Sequence, residues 1–541
     1  MLGLVSPLAA CGGDDGARTS GFSGTATSAT ATAGTRGTAG GATSNASVGG
    51  TATSTTTTAG STNTGTAGST TGTGSSTGGT STGGGMDMVT FDWVREIWST
   101  SRYDIPLGAV VSDGAVYVAG IRSKDLDILG FQIDNGKQQF RITKHDLDTG
   151  DKLAQQTADC TGFFNIADVT HARDIAADDA GNLYVAGHAR CQEMKIGFQG
   201  KDWTVNTELK GDAFVISMLP TLEPRWIETQ QSDDEDKAES IAVFGSSVVV
   251  AGHFSGSVLD IKGILALGNK GNFDVYVAEY TTDGQPTGRA VGIGGGEDDG
   301  QPAVTVGPSG DIYVTGYMRS NPTVVYDPNG SVLATIAPAG GMGDAFVVKL
   351  SPTFDVVWAT SIGGPADDKG RGIVADGQRV YVAGFTEGGI DLPGCCNLAP
   401  QGGKDAYLVV LSDTDGTPMA GALVGGAGTD QFYDLARVPD TGRVFAAGSF
   451  SETVEAGAFS LVSSGGRDAF TVAFDEGAGV VFAGSAQGPD KDEAKVVAGS
   501  GSYVLVGGSF ESKPWTVAGI DLPGMGDLSD AFLLRMTTSA P

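Results

Sequence analysis

The feature that most constrains this chain is a short motif that recurs along it: an Asp, a small or apolar residue and an aromatic residue, followed by alternating apolar residues. Copies begin at Asp212, Asp274, Asp344, Asp405, Asp468 and Asp530, and a degenerate first copy is Gln138-Gln139-Phe140. A second motif, of the type Tyr-Val-Ala-Gly, ends at Gly120, Gly187, Gly252, Gly316, Gly384, Gly448 and Gly508. Each motif occurs seven times at a period of roughly 60 to 70 residues, which predicts a repeat protein.

Each unit resolves into four short strands separated by turn sequences. In the fourth unit they are predicted over Ala303 to Val306, Ile312 to Thr315, Ala345 to Leu350 and Val356 to Ser361. Four antiparallel strands per unit, repeated seven times, predict an all-β chain folded as a seven-bladed β-propeller over residues 86–541. A row of separate sandwiches would need about 100 residues per domain and is disfavoured.

The two ends of the repeat region predict how the ring closes. The last unit stops after a third strand, Ala531 to Met536, whereas Phe91 to Trp98 stands before the first unit as an additional strand. We expect Phe91 to Trp98 to pair with Ala531 to Met536 as the outer strand of the last blade. Trp93, Trp226 and Trp358 share one position in the fourth strands and are expected to pack between blades.

Stretches such as Asp344 to Gly364, DAFVVKLSPTFDVVWATSIGG, resemble the bacterial β-propeller repeat found in secreted proteins and lipoproteins of Gram-negative bacteria, myxobacteria among them. The resemblance covers about Phe91 to Met536. It implies a propeller scaffold, and it implies no particular reaction.

The N-terminal residues 1–11 resemble the end of a lipoprotein signal peptide, in which Leu8-Ala9-Ala10-Cys11 matches the lipobox. The resemblance implies that Cys11 carries the lipid, and Gly12 after it implies sorting to the outer membrane, although no Lys or Arg precedes the apolar run. Residues 12–85 are almost only Gly, Ser, Thr and Ala, and we expect a disordered tether. The predicted location is the cell surface, with secretion if the lipobox is not used, and membrane contact only through the lipid.

Composition narrows the possible partners. The 86 Gly residues and few aromatic residues favour short strands and turns, and the formal charge of -30 disfavours nucleic acid and anionic membranes. We expect a monomer that binds an unknown protein or glycan.

The predicted binding face carries the long connections between second and third strands, because variable loops on a rigid frame are common binding sites. It also receives acidic connections between blades, whose residues are candidate calcium ligands: Asp233, Asp234, Asp236, Asp298, Asp299, Asp367, Asp368, Asp430, Asp490 and Asp492. The alternative is that these aspartates cap turns through backbone amides, since no loop carries a complete DxDxDG pattern.

The cysteine and histidine residues suggest possible disulfides and one possible zinc or catalytic site. We expect a disulfide between Cys160 and Cys191 if the protein is exported, and either a vicinal disulfide or two free thiols at Cys395-Cys396. His188 and His253 occupy equivalent positions, with His171 expected nearby, so a zinc or catalytic site is conceivable.

Catalytic motifs are lacking in the sequence: it has no GxSxG, HExxH or phosphate loop, and no evident cluster of arginines. The predicted function is therefore a non-catalytic binding module without a certain cofactor. The alternatives are an extracellular propeller enzyme, such as a polysaccharide lyase or hydrolase, and a structural envelope protein.

Overall fold

A computed structural model describes residues 89–98, 103–128, 131–161, 168–207, 210–517, 519–524 and 529–539. Within these ranges every regular element is a β-strand, and no helix is long and apolar enough to cross a membrane. The all-β prediction is confirmed. Residues 1–11 with Cys11, and residues 12–85, lie outside the described residues.

The strands follow the sequence units. Before the units comes β1 (Val89–Trp98). The first unit contains β2 (Asp104–Ser112), β3 (Ala115–Ile128), β4 (Phe131–Asp146), β5 (Lys152–Thr157) and the short β6 (Asp159–Thr161). The second contains β7 (Asp168–Ala177), β8 (Leu183–Arg190), β9 (Glu193–Phe198), β10 (Lys201–Asn206), β11 (Asp212–Met218) and β12 (Pro224–Gln231). The third contains β13 (Asp236–Phe244), β14 (Ser247–Phe254), β15 (Val258–Ile261), β16 (Leu265–Gly268), β17 (Asp274–Thr281) and β18 (Pro286–Gly294).

The fourth unit contains β19 (Asp299–Val306), β20 (Ile312–Met318), β21 (Thr323–Tyr326), β22 (Val332–Ile336), β23 (Asp344–Leu350) and β24 (Val356–Ile362). The fifth contains β25 (Asp368–Ala375), β26 (Arg379–Thr386), β27 (Ile390–Leu392), β28 (Cys396–Leu398), β29 (Asp405–Ser412) and β30 (Pro418–Gly426). The sixth contains β31 (Gln431–Arg437), β32 (Val444–Phe450), β33 (Thr453–Ala456), β34 (Phe459–Val462), β35 (Asp468–Phe474) and β36 (Val480–Ala486). The last contains β37 (Asp492–Ser500), β38 (Tyr503–Phe510), β39 (Trp515–Val517), β40 (Ile520–Leu522) and β41 (Asp530–Thr538).

The main strands of a unit pair antiparallel in chain order. In the fourth unit the order is β19-β20-β23-β24, so the four predicted strands are confirmed with slightly wider bounds. All residues of β23 are buried, because its apolar side chains pack against the neighbouring sheets on both faces. The hydrophobic clusters span adjacent sheets; one of them joins Val347 of β23 to Ile373 of β25.

The first strand of each unit, which we call the inner strand, packs against the inner strand of the next unit. These contacts follow the cyclic order β2, β7, β13, β19, β25, β31, β37 and back to β2. Successive four-stranded sheets whose inner strands enclose an axis are the architecture of a β-propeller.

The predicted pairing of the two ends is confirmed. β1 is the outer strand of the last sheet, whose order is β1-β41-β38-β37. The register places Phe91 opposite Met536 and Trp98 opposite Ala531. The side chain of Val94 is buried in the cluster that contains Phe532 and Leu534. The N-terminal strand therefore completes the sheet that the C-terminal strand leaves open.

The three equivalent tryptophans pack between units as expected. Each indole nitrogen donates a hydrogen bond to a carbonyl in the turn of the following unit: Trp93 to Leu147, Trp226 to Thr282 and Trp358 to Asp413, at 3.2, 3.0 and 2.9 Å. Gly416 in that turn has φ 71°, and a Cβ there would lie 2.7 Å from the Trp358 ring. Glycine is required because both the backbone conformation and the close ring exclude a side chain.

The long connections between second and third strands differ from the expectation of open binding loops. Most of their length forms extra hairpins, and several of these pair with the outer strand of the preceding unit: β15 with β12, β21 with β18, and β33 with β30. An outer strand has unpaired backbone groups that invite association, and the added hairpin covers them. These connections therefore serve the scaffold to a large extent.

Candidate functional site

The candidate calcium ligands divide into a buried set and a more exposed set. Asp236, Asp299, Asp368, Asp430 and Asp492 are each 0% exposed. Each lies beside the Asp that opens the third strand of the preceding unit, because the two strands meet where one unit leads into the next. Gly363 shows this closely: a Cβ on it would lie 2.2 Å from Asp344 Oδ1 and 2.9 Å from Asp368 Oδ2.

Local donors hold the buried set in place. Gly364 N donates to Asp368 Oδ2 at 2.7 Å, Ala339 N donates to Asp344 Oδ2 at 2.8 Å, and Ser512 Oγ donates to Asp492 Oδ2 at 2.7 Å. Such bonds are those of turn-capping aspartates. Burial, and then the neighbouring carboxylates, raise the pKa of Asp368 to about 7 and that of Asp236 to about 8.

The other five carboxylates occupy separate places in the connections between blades. Asp233 is exposed and accepts a hydrogen bond from Ser257 N at 2.6 Å, while Lys210 lies 3.7 Å from Asp234 and Arg319 lies 3.2 Å from Asp367. Asp298 is half-buried and Asp490 is exposed. Among the described residues no three or more His, Cys, Asp or Glu side chains converge as a metal site would require. Calcium binding stays a prediction.

A β-bulge recurs at the same place in the inner strands, three residues after each inner-strand Asp or its equivalent, and two and three residues after it in β19. The inner strand has one residue more than the second strand there in all seven units, and in β19 two residues stand opposite one. The bulged residues are Leu107, Arg173, Glu239, Gln301 with Pro302, Arg371, Tyr433 and Lys495. Bulges re-aim side chains, and these inner strands border the axis. The bulged residues, most of them charged or polar, thus lie at equivalent places near one end of the inner strands, and we call this end the axial mouth.

The β7 and β13 side of the axial mouth carries three histidines. The rings of His171 and His188 lie 4.5 Å apart in an edge-to-face arrangement. The Glu239 carboxylate lies between two basic groups, with Arg173 Nε at 3.6 Å and His253 Nδ1 at 3.7 Å. His188 is 6% exposed, and its Nδ1 has no hydrogen-bond partner in the described residues.

The charge around His188 keeps its imidazole neutral. Burial lowers the pKa of His188 well below its usual value, and the nearby His171, Arg173 and Lys237 lower it further. At neutral pH this ring can donate one hydrogen bond and accept another. His188 is therefore a buried, neutral polar group with the cations Arg173 and Lys237 nearby.

The β31 and β37 side is built around Glu493. Three cations surround its carboxylate, with Lys495 at 3.0 Å, Lys491 at 3.1 Å and Arg467 at 3.2 Å. Tyr433 Oη donates to Glu493 Oε1 at 2.7 Å. Burial would raise the pKa of Glu493, but the adjacent lysines outweigh it and the pKa lies below the usual value. The single carboxylate of Glu493 balances only one of the three positive charges around it, so an excess of positive charge remains here.

The β25 side has cations placed over aromatic rings. Lys369 Nζ lies 4.4 Å from the centre of the Tyr317 ring, and Arg371 Cζ lies 5.9 Å from that of Phe385. Arg371 Nε is buried without a hydrogen-bond partner among the described residues. A cation over a ring face is held by the electrostatic field of the ring and keeps its charge available.

The axial mouth contains basic side chains that the sequence reading, which singled out the acidic connections, did not identify. Half of the candidate carboxylates are buried at unit junctions, whereas the bulged and adjacent inner-strand residues add Arg and Lys. Sequence reading missed this cluster because its members are about 60 residues apart, as Arg371 and Lys495 show across two units. The repeated position after each inner-strand Asp is the signal that could have revealed it.

The cysteine predictions have different outcomes. Cys160 and Cys191 form the expected disulfide, with Cα atoms 5.8 Å apart, and it joins β6 to the hairpin that starts at β9. Cys395 and Cys396 are free thiols, so of the two alternatives the structure has the unbonded pair. They lie at the tip of the hairpin formed by β27 and β28.

The chain has limited similarity to known proteins. No protein family model matches the chain. It is similar to the regulatory protein FlaEY of Caulobacter vibrioides, with 24% identity over 235 residues, which are 40% of this chain and 24% of that protein. The chain thus spans about a quarter of the length of that relative.

Three solved structures that resemble the chain are an alcohol dehydrogenase, a domain described as a propeller and a WD40 domain. The quinohemoprotein alcohol dehydrogenase of Comamonas testosteroni has 10% identity and a TM-score of 0.37, covering 84% of this chain and 77% of its own. The Dos1 propeller has 8% identity and a TM-score of 0.37, covering 83% and 95%. The Pan2 WD40 domain of Neurospora crassa has 9% identity and a TM-score of 0.32, covering 68% and 89%. At these scores the likenesses carry no argument about this chain.

Proposed function

We propose that this protein is a binding module of the bacterial cell surface, a seven-bladed propeller of the secreted repeat type that takes its ligand at the axial mouth. The observation that carries the proposal is the recurrent bulge. A bulge interrupts the ladder of an inner strand, and here it places residues such as Arg173, Arg371 and Lys495 at equivalent positions around one axis. Rigid inner strands are suited to presenting side chains with a fixed geometry.

Seven blades are supported by the seven sequence units and by the cyclic order of inner-strand contacts. Attachment to the outer membrane through Cys11 and the Gly, Ser and Thr-rich segment rests on the lipobox resemblance alone. The lipid would restrain the chain end, and the long polar segment would let the propeller extend from the membrane. We further propose that the protein is a monomer and that nucleic acid is not its partner.

A second candidate function is an extracellular enzyme that acts on a polysaccharide. The observation that favours it is His188, a buried neutral imidazole beside Arg173 and Lys237. A lyase needs a base and a cation close to a sugar carboxylate, and these residue types meet that need. Release of unsaturated sugar products, followed by absorbance at 235 nm as is usual for such double bonds, would identify it.

The test of the binding function is a glycan and protein binding screen with the full chain, followed by titration calorimetry on any hit. Arg371→Gln is expected to weaken binding, whereas Arg379→Gln is the matched control. Arg379 belongs to the same unit and forms an ion pair with Glu476 at 3.1 Å, away from the inner-strand bulges. Equal affinities of both variants and the parent for every hit would refute a ligand site at the axial mouth.

A further inference from the structure

The axial mouth is richer in basic side chains than the rest of the molecule. The chain has 63 acidic and 33 basic residues. The described residues at the axial mouth include the cations Arg173, Lys237, Lys369, Arg371, Arg467 and Lys495 and the carboxylates Glu235, Glu239 and Glu493. Two further carboxyls, Asp174 and Asp434, directly follow bulged residues, and burial raises their pKa to about 6 and about 7. A small cationic region within an anionic surface attracts an anion locally and repels it elsewhere, so the ligand must reach this mouth to gain affinity.

Two groups at the mouth have hydrogen-bonding capacity left over. His188 Nδ1 and Arg371 Nε are both buried and without partners in the described residues. An unpaired buried polar group is destabilising because it has lost its hydrogen bonds to water. A ligand oxygen that reached Arg371 Nε would supply its missing acceptor, and a ligand anion near His188 would reduce the repulsion among the neighbouring cations.

Neutral hydrogen-bonding groups lie beside the cations. Gln431 Nε2 donates to Tyr433 Oη at 2.5 Å, and Tyr433 Oη lies 3.2 Å from Ser449 Oγ. Hydroxyl and amide groups next to cations match a ligand that carries hydroxyls as well as negative charges. An acidic oligosaccharide has this chemistry, whereas an acidic peptide has carboxylates without the hydroxyls.

We infer that the axial mouth binds acidic oligosaccharides, with sugar carboxylates held by Arg371 on one side and by Arg173, Lys237 and His188 on another. This inference rests on the proposed function, since it specifies the ligand class of the same site. Guanidinium groups pair with carboxylates through two parallel hydrogen bonds, which gives both orientation and affinity.

The experiment is titration calorimetry of the full chain with oligogalacturonate, its fully methyl-esterified form and poly-glutamate. We expect oligogalacturonate alone to bind, and we expect its affinity to fall about tenfold in Arg371→Gln and to remain unchanged in Arg379→Gln. Raising the salt concentration should also weaken binding, because screening acts on charged contacts. Thermal melting of both variants shows whether each is folded.

The outcomes separate the inference from the proposed function. If the methyl ester binds as well as oligogalacturonate and Arg371→Gln still weakens it, the site exists but its ligand is not anionic. If poly-glutamate competes fully, the anion site exists but the oligosaccharide assignment is wrong. If oligogalacturonate does not bind, or binds equally to folded Arg371→Gln, the inference is overturned.

Discussion

Trp358 Nε1 donates a 2.9 Å hydrogen bond to the main-chain oxygen of Asp413, which lies in the turn of the next unit. The indole is 9% exposed and packs on Gly416 of that turn. Trp358→Ala is therefore expected to lower the free energy of unfolding by about 3 to 5 kcal/mol, since it removes both apolar burial and a unit-to-unit bond. Chemical denaturation measures this. Trp203→Ala, in the hairpin strand β10, is the control and should change stability by less than about 1 kcal/mol.

The pairing of β1 with β41 predicts a long-range effect of the N-terminal strand. Val94 is 3% exposed and lies opposite Leu534 in the last sheet. Val94→Asp would bury a charge without a partner and should lower the melting temperature of the whole propeller by several degrees or more. Thr90→Asp, at an exposed position in the same strand, should melt like the parent. A lowered melting temperature in both variants alike would argue against β1 as the closing strand.

Stability should fall as the pH rises from about 5 to about 8. The pKa of Asp368, Asp430 and Asp492 is raised from 3.8 to about 7, and that of Asp236 to about 8, by burial and by adjacent groups. Between pH 3.8 and about 7 to 8 the folded state therefore binds more protons at these four aspartates than the unfolded state does. The stabilisation that the protonated aspartates contribute is complete below pH 3.8 and is lost as the pH passes about 7 to 8. Melting temperatures recorded over this range measure the slope.

One variant isolates the carboxylate pair in this pH dependence. Asp368→Asn keeps an acceptor for Gly364 N and offers an amide donor to Asp344, so it should flatten the slope and raise the melting temperature at pH 8. Asp415→Asn, at an exposed turn position with no such neighbour, should leave the slope as it is. A melting temperature that rises with pH in the parent would contradict the raised pKa values.

Calcium provides a separate test of the acidic connections. Five of the ten candidate carboxylates are fully buried against local donors, so any calcium site must use the more exposed ones. If Asp233 and Asp234 bind calcium, millimolar calcium raises the melting temperature more than magnesium does, and the Asp233→Asn, Asp234→Asn double variant loses this rise. Equal effects of calcium and magnesium on the parent would favour the alternative that these aspartates cap turns.

The fold follows from the sequence because each unit repeats the same order of apolar strands and turns. The ends were predictable for the same reason: the strand missing after Met536 is supplied before the first unit. The added hairpins were not predictable to the same degree. Segments such as Val258–Ile261 are only a few residues long, and their alternation becomes evident only once Leu259 and Ile261 pack under the preceding outer strand.

The sequence placed the candidate site on the face of the long connections, but it did not reveal the basic side chains there. Aspartate is usually exposed, so the runs ending at Asp236 and Asp368 suggested a negative mouth. Their burial depends on the junction of two units, which one unit of sequence does not display. The bulge that presents Arg371 is an interruption of strand pairing, and pairing partners are set by tertiary contacts rather than by local pattern.

The inner-strand bulges also bear on how such a surface could change over evolutionary time. A bulged residue lies outside the regular ladder, so its side chain can be replaced while the backbone bonds on either side persist. The presence of Leu107, Glu239 and Tyr433 at this position, beside the arginines and lysine, shows that the scaffold accepts apolar, acidic and aromatic side chains there. If the axial mouth binds a ligand, its specificity can therefore change through single substitutions at these positions, without insertions and with the strand pairing on either side preserved.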